Sequence, residues 1–143
     1  MLIFCDTQAQ NILQFDNGID LQITIVDFKA ENHRIDTCLM KNQPYICTID
    51  ELNWYGMDLG MELPKYELKE VVVLFEGNTI SLDVTQMYNP TFNEARLKRQ
   101  FEVNIENGQI EINAWFSDGA GTYCAKWTIK NGSSKREILK DCF

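Results

Sequence analysis

Several shortages in this chain each remove a class of function. Among 143 residues there is one histidine, His33. A Ser–His or Cys–His nucleophile pair therefore has a single candidate base, and no cysteine lies in a recognisable nucleophile context. The neighbours of His33, from Glu31 to Arg34, are polar, so the ring is expected in an exposed loop. Phosphate-cradling loops are missing: neither a Walker-type sequence nor G-x-G-x-x-G after a strand occurs. Asp118-Gly119-Ala120-Gly121 lies between two alternating segments rather than before a helix, and it reads as a hairpin turn. EF-hand spacing is absent too. No apolar run approaches the roughly 18 residues of a membrane-spanning helix. Met1 to Asp6 lack the basic and long apolar regions of a signal peptide, so the cytoplasm is the expected location.

Positive charge is also scarce. The formal net charge is −8 and the sequence pI about 4.6. Nucleic acid and anionic membrane surfaces are disfavoured as partners, because both need clustered Lys and Arg. The deficit is uneven. Residues 1–90 hold 14 acidic and 5 basic side chains, a balance of −9, whereas residues 91–143 hold 7 and 8, a balance of +1. Such a field can steer a basic partner.

Cysteines are present but patternless. Cys5, Cys38, Cys47, Cys124 and Cys142 are odd in number and show no C-x-x-C spacing. That fits neither a zinc site nor a secreted disulfide framework. They are expected to act as small buried apolar residues in a reducing compartment. No metal or other cofactor is expected. The 21 acidic residues mark no particular carboxylate pair for acid–base work, so the chain is not expected to be an enzyme.

What the chain does have is period-2 alternation punctuated by turns. Phe101, Val103 and Ile105 alternate with polar residues up to Asn107-Gly108, a strong hairpin signal. Ile110, Ile112, Ala114 and Phe116 follow, then a turn at 117–121, then Tyr123, Ala125, Trp127 and Ile129. Asn131-Gly132 starts a third turn before a last strand around Ile138. Three hairpins in series make a meander. Trp115 falls on the opposite parity, so either that face is covered or Trp115 is partly exposed.

Upstream, Val71 to Phe75 is a continuous apolar run, expected as a central strand covered on both faces, with a turn at Glu76-Gly77-Asn78. Ile80, Leu82 and Val84 alternate after it. Asn93 to Arg99 reads as a short helical turn or a loop. Ile12 to Phe15, the turn Asp16-Asn17-Gly18 and Leu21, Ile23 and Ile25 form another hairpin. Leu2 to Phe4 and Ile35 to Met40 read as strands, the latter broken by Gln43-Pro44. The expected fold is mainly β: an antiparallel meander forming a sandwich or barrel-like sheet, with one or two short helices, and α+β as the alternative. No repeat or linker divides the chain, so residues 1–143 are read as one domain.

One segment departs from alternation. Thr48-Ile49-Asp50-Glu51 matches a capping box, with Asp50 and Glu51 in the first turn. The spacing predicts a helix over 49–58. Asp50, Glu51, Trp54, Tyr55, Asp58 and Glu62 lie in this stretch, combining carboxylates with large aromatics. Trp and Tyr anchor interfaces, and carboxylates around them favour a cationic partner. These six residues are the candidate partner-binding set. The basic group Arg96, Lys98, Arg99, Lys126, Lys130, Lys135, Arg136 and Lys140 reads as a charge-balanced surface.

In size, low pI, β-rich alternation and acidic–aromatic patch, the chain resembles the small acidic immunity proteins that bacteria encode beside polymorphic or contact-dependent growth inhibition toxins. The resemblance covers the whole chain and is one of general character. It implies a cytoplasmic inhibitor, monomeric before it joins a heterodimer, that covers the active or substrate-binding surface of a basic, nuclease-like toxin domain. The alternative from the serial hairpins is a barrel or sandwich that holds a small apolar ligand, as lipocalins do.

Overall fold

Two-residue turns set the register of this molecule. The computed structural model of the chain describes residues 8–57, 61–90, 94–117, 119–139 and 142. Ten strands run through them: β1 (Gln8–Gln14), β2 (Asp20–Asp27), β3 (Ile35–Met40), β4 (Gln43–Ile49), β5 (Tyr66–Phe75), β6 (Asn78–Ser81), β7 (Phe101–Glu106), β8 (Gln109–Phe116), β9 (Tyr123–Lys130) and β10 (Ser133–Leu139). At Lys41-Asn42, Glu76-Gly77, Asn107-Gly108 and Asn131-Gly132 both central residues have positive φ. That is the type I′ signature, whose twist matches the twist of the strands it joins.

The strands form two four-stranded antiparallel sheets, ordered β1-β2-β5-β6 and β10-β9-β8-β7, and a separate β3–β4 hairpin. One hydrophobic core lies between the sheets. Leu21, Ile23, Val71 and Val73 from the first, with Ile19 just before β2, meet Phe101, Val103, Ile112, Phe116, Trp127 and Ile129 from the second. Each such side chain, fully buried, contributes about 1.5–3 kcal/mol. Phe116 stacks on Tyr123 and meets Trp127 edge-on. Polar groups tie the layers at their rims: Trp127 Nε1 donates to the Asp83 carbonyl at 2.9 Å and Asn17 Nδ2 to that of Val103 at 3.0 Å. The fold is thus a β-sandwich-like, mainly β arrangement, and its sheets do not close into a barrel among the described residues.

The strand expectations hold closely after residue 70. β5 lies between β2 and β6, as its apolar run required. On its second face Val72 and Leu74 are half-buried rather than covered. The alternation at Leu82 and Val84 continues no strand, because β6 ends at Ser81. Pro44 does not break the chain; it sits in β4 opposite Leu39, and the turn falls at Lys41-Asn42. The stretch 94–100 is a short 3-10 helix, with Leu97 buried in the core. The expected strand at Leu2 to Phe4 lies outside the described residues. Trp115 is half-buried; on its face Asn113 and Cys124 are buried, and Cys142 is bonded to Cys124.

Two expectations are overturned. The helix over 49–58 does not form. Thr48 belongs to β4, where its hydroxyl donates to Asp36 Oδ2 at 3.2 Å instead of capping a helix. Asp50 and Glu51 instead take φ of +56° and +66°, and Ile49 and Leu52 exchange both backbone hydrogen bonds. This is a fifth two-residue turn of type I′ character. Glu51 lacks the tolerance of Gly or Asn for that region, so the capping pattern outweighed the turn in the sequence. The cysteines also depart from expectation: Cys38 pairs with Cys47 and Cys124 with Cys142, at Cα separations of 5.7 and 5.5 Å. The β3–β4 register puts Cys38 and Cys47 on one face, diagonally across the strands, within bonding reach. Cys5 lies outside the described residues.

Gly56 has the closest approach of any described glycine. Its φ is +98°, and a Cβ there would collide with the Tyr88 carbonyl oxygen. Gly56→Ala is expected to destabilise the protein by roughly 2–4 kcal/mol, read as a lowered denaturation midpoint. Gly77→Ala, whose Cβ meets open space at φ +76°, should lose only about 1–2 kcal/mol. Equal losses would mean that the Tyr88 carbonyl moves aside freely.

Candidate functional site

The connection after β2 and the turn after β4 meet at a single imidazole. Phe28 and His33 stack with centroids 4.7 Å apart, and Tyr88 lies edge-on to both. His33 Nδ1 is 2.7 Å from Asp50 Oδ2, and Nε2 is 3.4 Å from Glu67 Oε2 on β5. The His33 side chain is 12% exposed, so the expected exposed loop histidine is instead a packed clasp between the acidic turn and the first sheet. A neutral imidazole donates once; only the protonated ring donates to both carboxylates.

The acidic turn is held on every side. The Arg34 amide donates to Asp50 Oδ1 at 2.9 Å, and the Asp50 amide to the Arg34 carbonyl at 2.7 Å. The Arg34 guanidinium reaches Glu51 Oε1 at 2.6 Å and Asp36 Oδ2 at 3.5 Å. Partial burial works against ionisation of Asp50. The hydrogen bonds from His33 and the Arg34 amide, with the charge of His33, outweigh it and hold the carboxyl below its usual range. Tyr88 is pushed the other way, up to about 12, by burial and then by the charges of Glu67 and Asp50.

These groups line a surface cleft of about 290 Å³, with His33, Asp50, Leu52, Glu67, Gln86 and Tyr88 on its walls. It offers two carboxylates over an apolar floor. Both ring nitrogens of His33 face carboxylates. Among the described residues no group of three or more His, Cys, Asp and Glu is arranged to hold a metal ion.

The six candidate residues separate by depth. Asp50 and Glu51 are at the surface, in the turn itself. Glu62 is exposed. Trp54 is 5% exposed, packed with Ile46, Ile49 and Tyr88, and its Nε1 donates to the Ile46 carbonyl at 3.2 Å. Tyr55 is half-buried against Tyr123. Trp54 therefore supports the turn from beneath, whereas Tyr55 belongs to the sandwich core. Asp58 lies outside the described residues. Sequence reasoning placed His33 in an exposed loop and did not single out Glu67 or Tyr88; the three are far apart in the chain, and nothing local in the sequence marks their meeting.

The charge asymmetry along the chain falls on segments that build different sheets. The first sheet and the hairpin come from the segment to residue 90, which carries −9; the second sheet comes from the segment after it, which carries +1. No helix of the described residues is long and apolar enough to cross a membrane. Comparison with known proteins finds no matching family model, no matching curated protein and no matching solved structure.

Asp50 and Asp83 both have depressed carboxyl pKa values. For Asp83, partial burial is outweighed by hydrogen bonds from Thr85 and the charge of Arg136. A depressed folded-state value gives stability that is complete above the unfolded value near 3.8 and lost as pH falls through the folded one. Asp50→Asn is therefore expected to lower stability at neutral pH and to flatten the acid limb below about pH 4. An acid limb unchanged in slope would show that the His33–Asp50 contact adds no net stability.

Proposed function

We propose that the chain is a binding protein that neutralises a cationic protein, as an immunity protein does with a basic, nuclease-like toxin domain. The observation that supports this is the charge split along the chain: the segment to residue 90, which builds the first sheet and the hairpin, carries −9, and the segment that builds the second sheet carries +1. A domain that cleaves nucleic acid carries Lys and Arg for phosphates. An acidic cover competes with nucleic acid for that surface and speeds encounter. Asp50, Glu51 and Glu62 supply the contact carboxylates, while Trp54 packs beneath the turn that presents two of them and Tyr55 packs on the sandwich core. In this reading the protein performs no reaction of its own and acts as a monomer that enters a heterodimer. The lipocalin-like alternative requires a hollow interior; Phe116, Trp127, Val71 and Val73 fill the space between the sheets.

The immunity reading puts the encounter in the cytoplasm, while paired cysteines favour an oxidising compartment. Alkylation of thiols in native cells separates the two: free Cys38 and Cys47 support the cytoplasm, and a blocked pair supports the oxidising site.

Affinity capture from the native host is expected to return one protein with a basic domain, bound at micromolar concentration. No complex at that concentration overturns the proposal. With the captured partner, Glu51→Lys combined with Glu62→Lys should slow association by about tenfold at low salt and weaken its salt dependence. Unchanged kinetics would move the interface away from this surface.

A further inference from the structure

We infer that the outer edge of β3, from Thr37 to Met40, is a docking edge for an extended segment of the partner in which cationic and apolar residues alternate. This rests on the cationic-partner reading above and names the element that takes hold.

Register makes this edge available. A two-residue turn at Lys41-Asn42 leaves Met40–Gln43 as the closing hydrogen-bonded pair. Alternation then makes Cys38–Tyr45 a bonded pair, and Leu39–Pro44 and Thr37–Ile46 non-bonded ones. The N–H and C=O of Thr37 and Leu39 therefore point away from β4. No backbone hydrogen bond joins them to any other described segment. The opposite edge of the hairpin is partly closed. Pro44 has no N–H to offer there, and the Ile46 carbonyl already accepts from Trp54 Nε1.

The side chains along the open edge suit an added strand. Leu39 and Met40 are 72% and 60% exposed, on opposite faces of the hairpin. They offer apolar contact on both sides of an incoming chain, the mode in which main-chain bonds give affinity and alternate side chains give selectivity. Asp36 lies on the same strand and Glu51 at its root, with Arg34 between them. Within a segment of balance −9, this favours Lys or Arg at alternate positions of the incoming strand. The Cys38–Cys47 bond braces the hairpin before any partner arrives, which lowers the ordering cost of binding. A second copy of this chain brings a net charge of −8 to the same edge and is disfavoured. An anionic membrane surface is disfavoured on the same ground.

The test is amide hydrogen exchange of the full chain with three synthetic heptapeptides. One alternates lysine and valine, one alternates glutamate and valine, and one is the lysine peptide N-methylated at alternate amides. The lysine peptide near saturation is expected to slow exchange at Thr37 and Leu39 by about tenfold, with no slowing by the other two. Slowing by the lysine and N-methylated peptides alike, at acidic residues away from β3, overturns the docking edge and leaves the cationic-partner reading standing. No response to the lysine peptide anywhere in residues 8–90 counts against both. Protection of Thr37 and Leu39 that grows with protein concentration alone, or on adding phospholipid vesicles, overturns the proposal in favour of self-pairing or a lipid surface.

Discussion

A two-residue turn with both central residues at positive φ twists its flanking strands in the hand that a sheet requires. Among the described residues the device occurs five times, at Lys41-Asn42, Asp50-Glu51, Glu76-Gly77, Asn107-Gly108 and Asn131-Gly132. Each turn fixes a register, and each register decides which residues face the core. A slip of one position would turn Trp127, Ala125 and Ile129 outward and bring Lys126 and Thr128 between the sheets. The packing of Phe116 on Tyr123 and Trp127 depends on that parity. So does the reach of Cys38 to Cys47 across the β3–β4 hairpin.

The Asp50-Glu51 turn differs from the others in what surrounds it. Two carboxylate residues in the left-handed region cost on the order of 1 kcal/mol each, and no glycine relieves the cost. Neighbours impose the conformation instead: the Arg34 backbone on both sides of Asp50, the Arg34 guanidinium on Glu51, and His33 on Asp50. Beneath it Trp54 and Tyr88 fill the space between hairpin and sandwich. Gly56 lets the chain pass directly against the Tyr88 carbonyl. Strain held in place by surrounding contacts is a device for presenting groups in one geometry, and here the groups are carboxylates.

A second consequence of turn-set register is that the hairpin has one open edge. β4 lacks a donor at Pro44 and has its Ile46 carbonyl engaged, while the backbone groups of Thr37 and Leu39 on β3 make no hydrogen bond to another described segment. The hairpin is two-sided: Ile46 and Ile49 are buried with Trp54 and Tyr88, while Leu39 and Met40 are exposed near Asp36.

The amino-acid sequence by itself determined the meander. Asn-Gly turns and clean alternation from Phe101 to Ile138 leave one compatible pairing, because both signals are local and agree. It also determined the charge imbalance, since net charge needs no coordinates. It was misleading at Thr48 to Glu51, where a capping pattern and a strand end draw on the same residues, and only the contacts of Arg34, Asp36 and His33 decide between them. Only the tertiary structure decided that Trp54 lies inside, that His33 is clasped by Asp50 and Glu67, and that four cysteines pair. Each of these depends on residues from separate elements meeting in space, and a local pattern carries no information about such meetings. The charge split shows both sources at once: its size is written in the chain, and its assignment to different sheets follows from which segment builds each one.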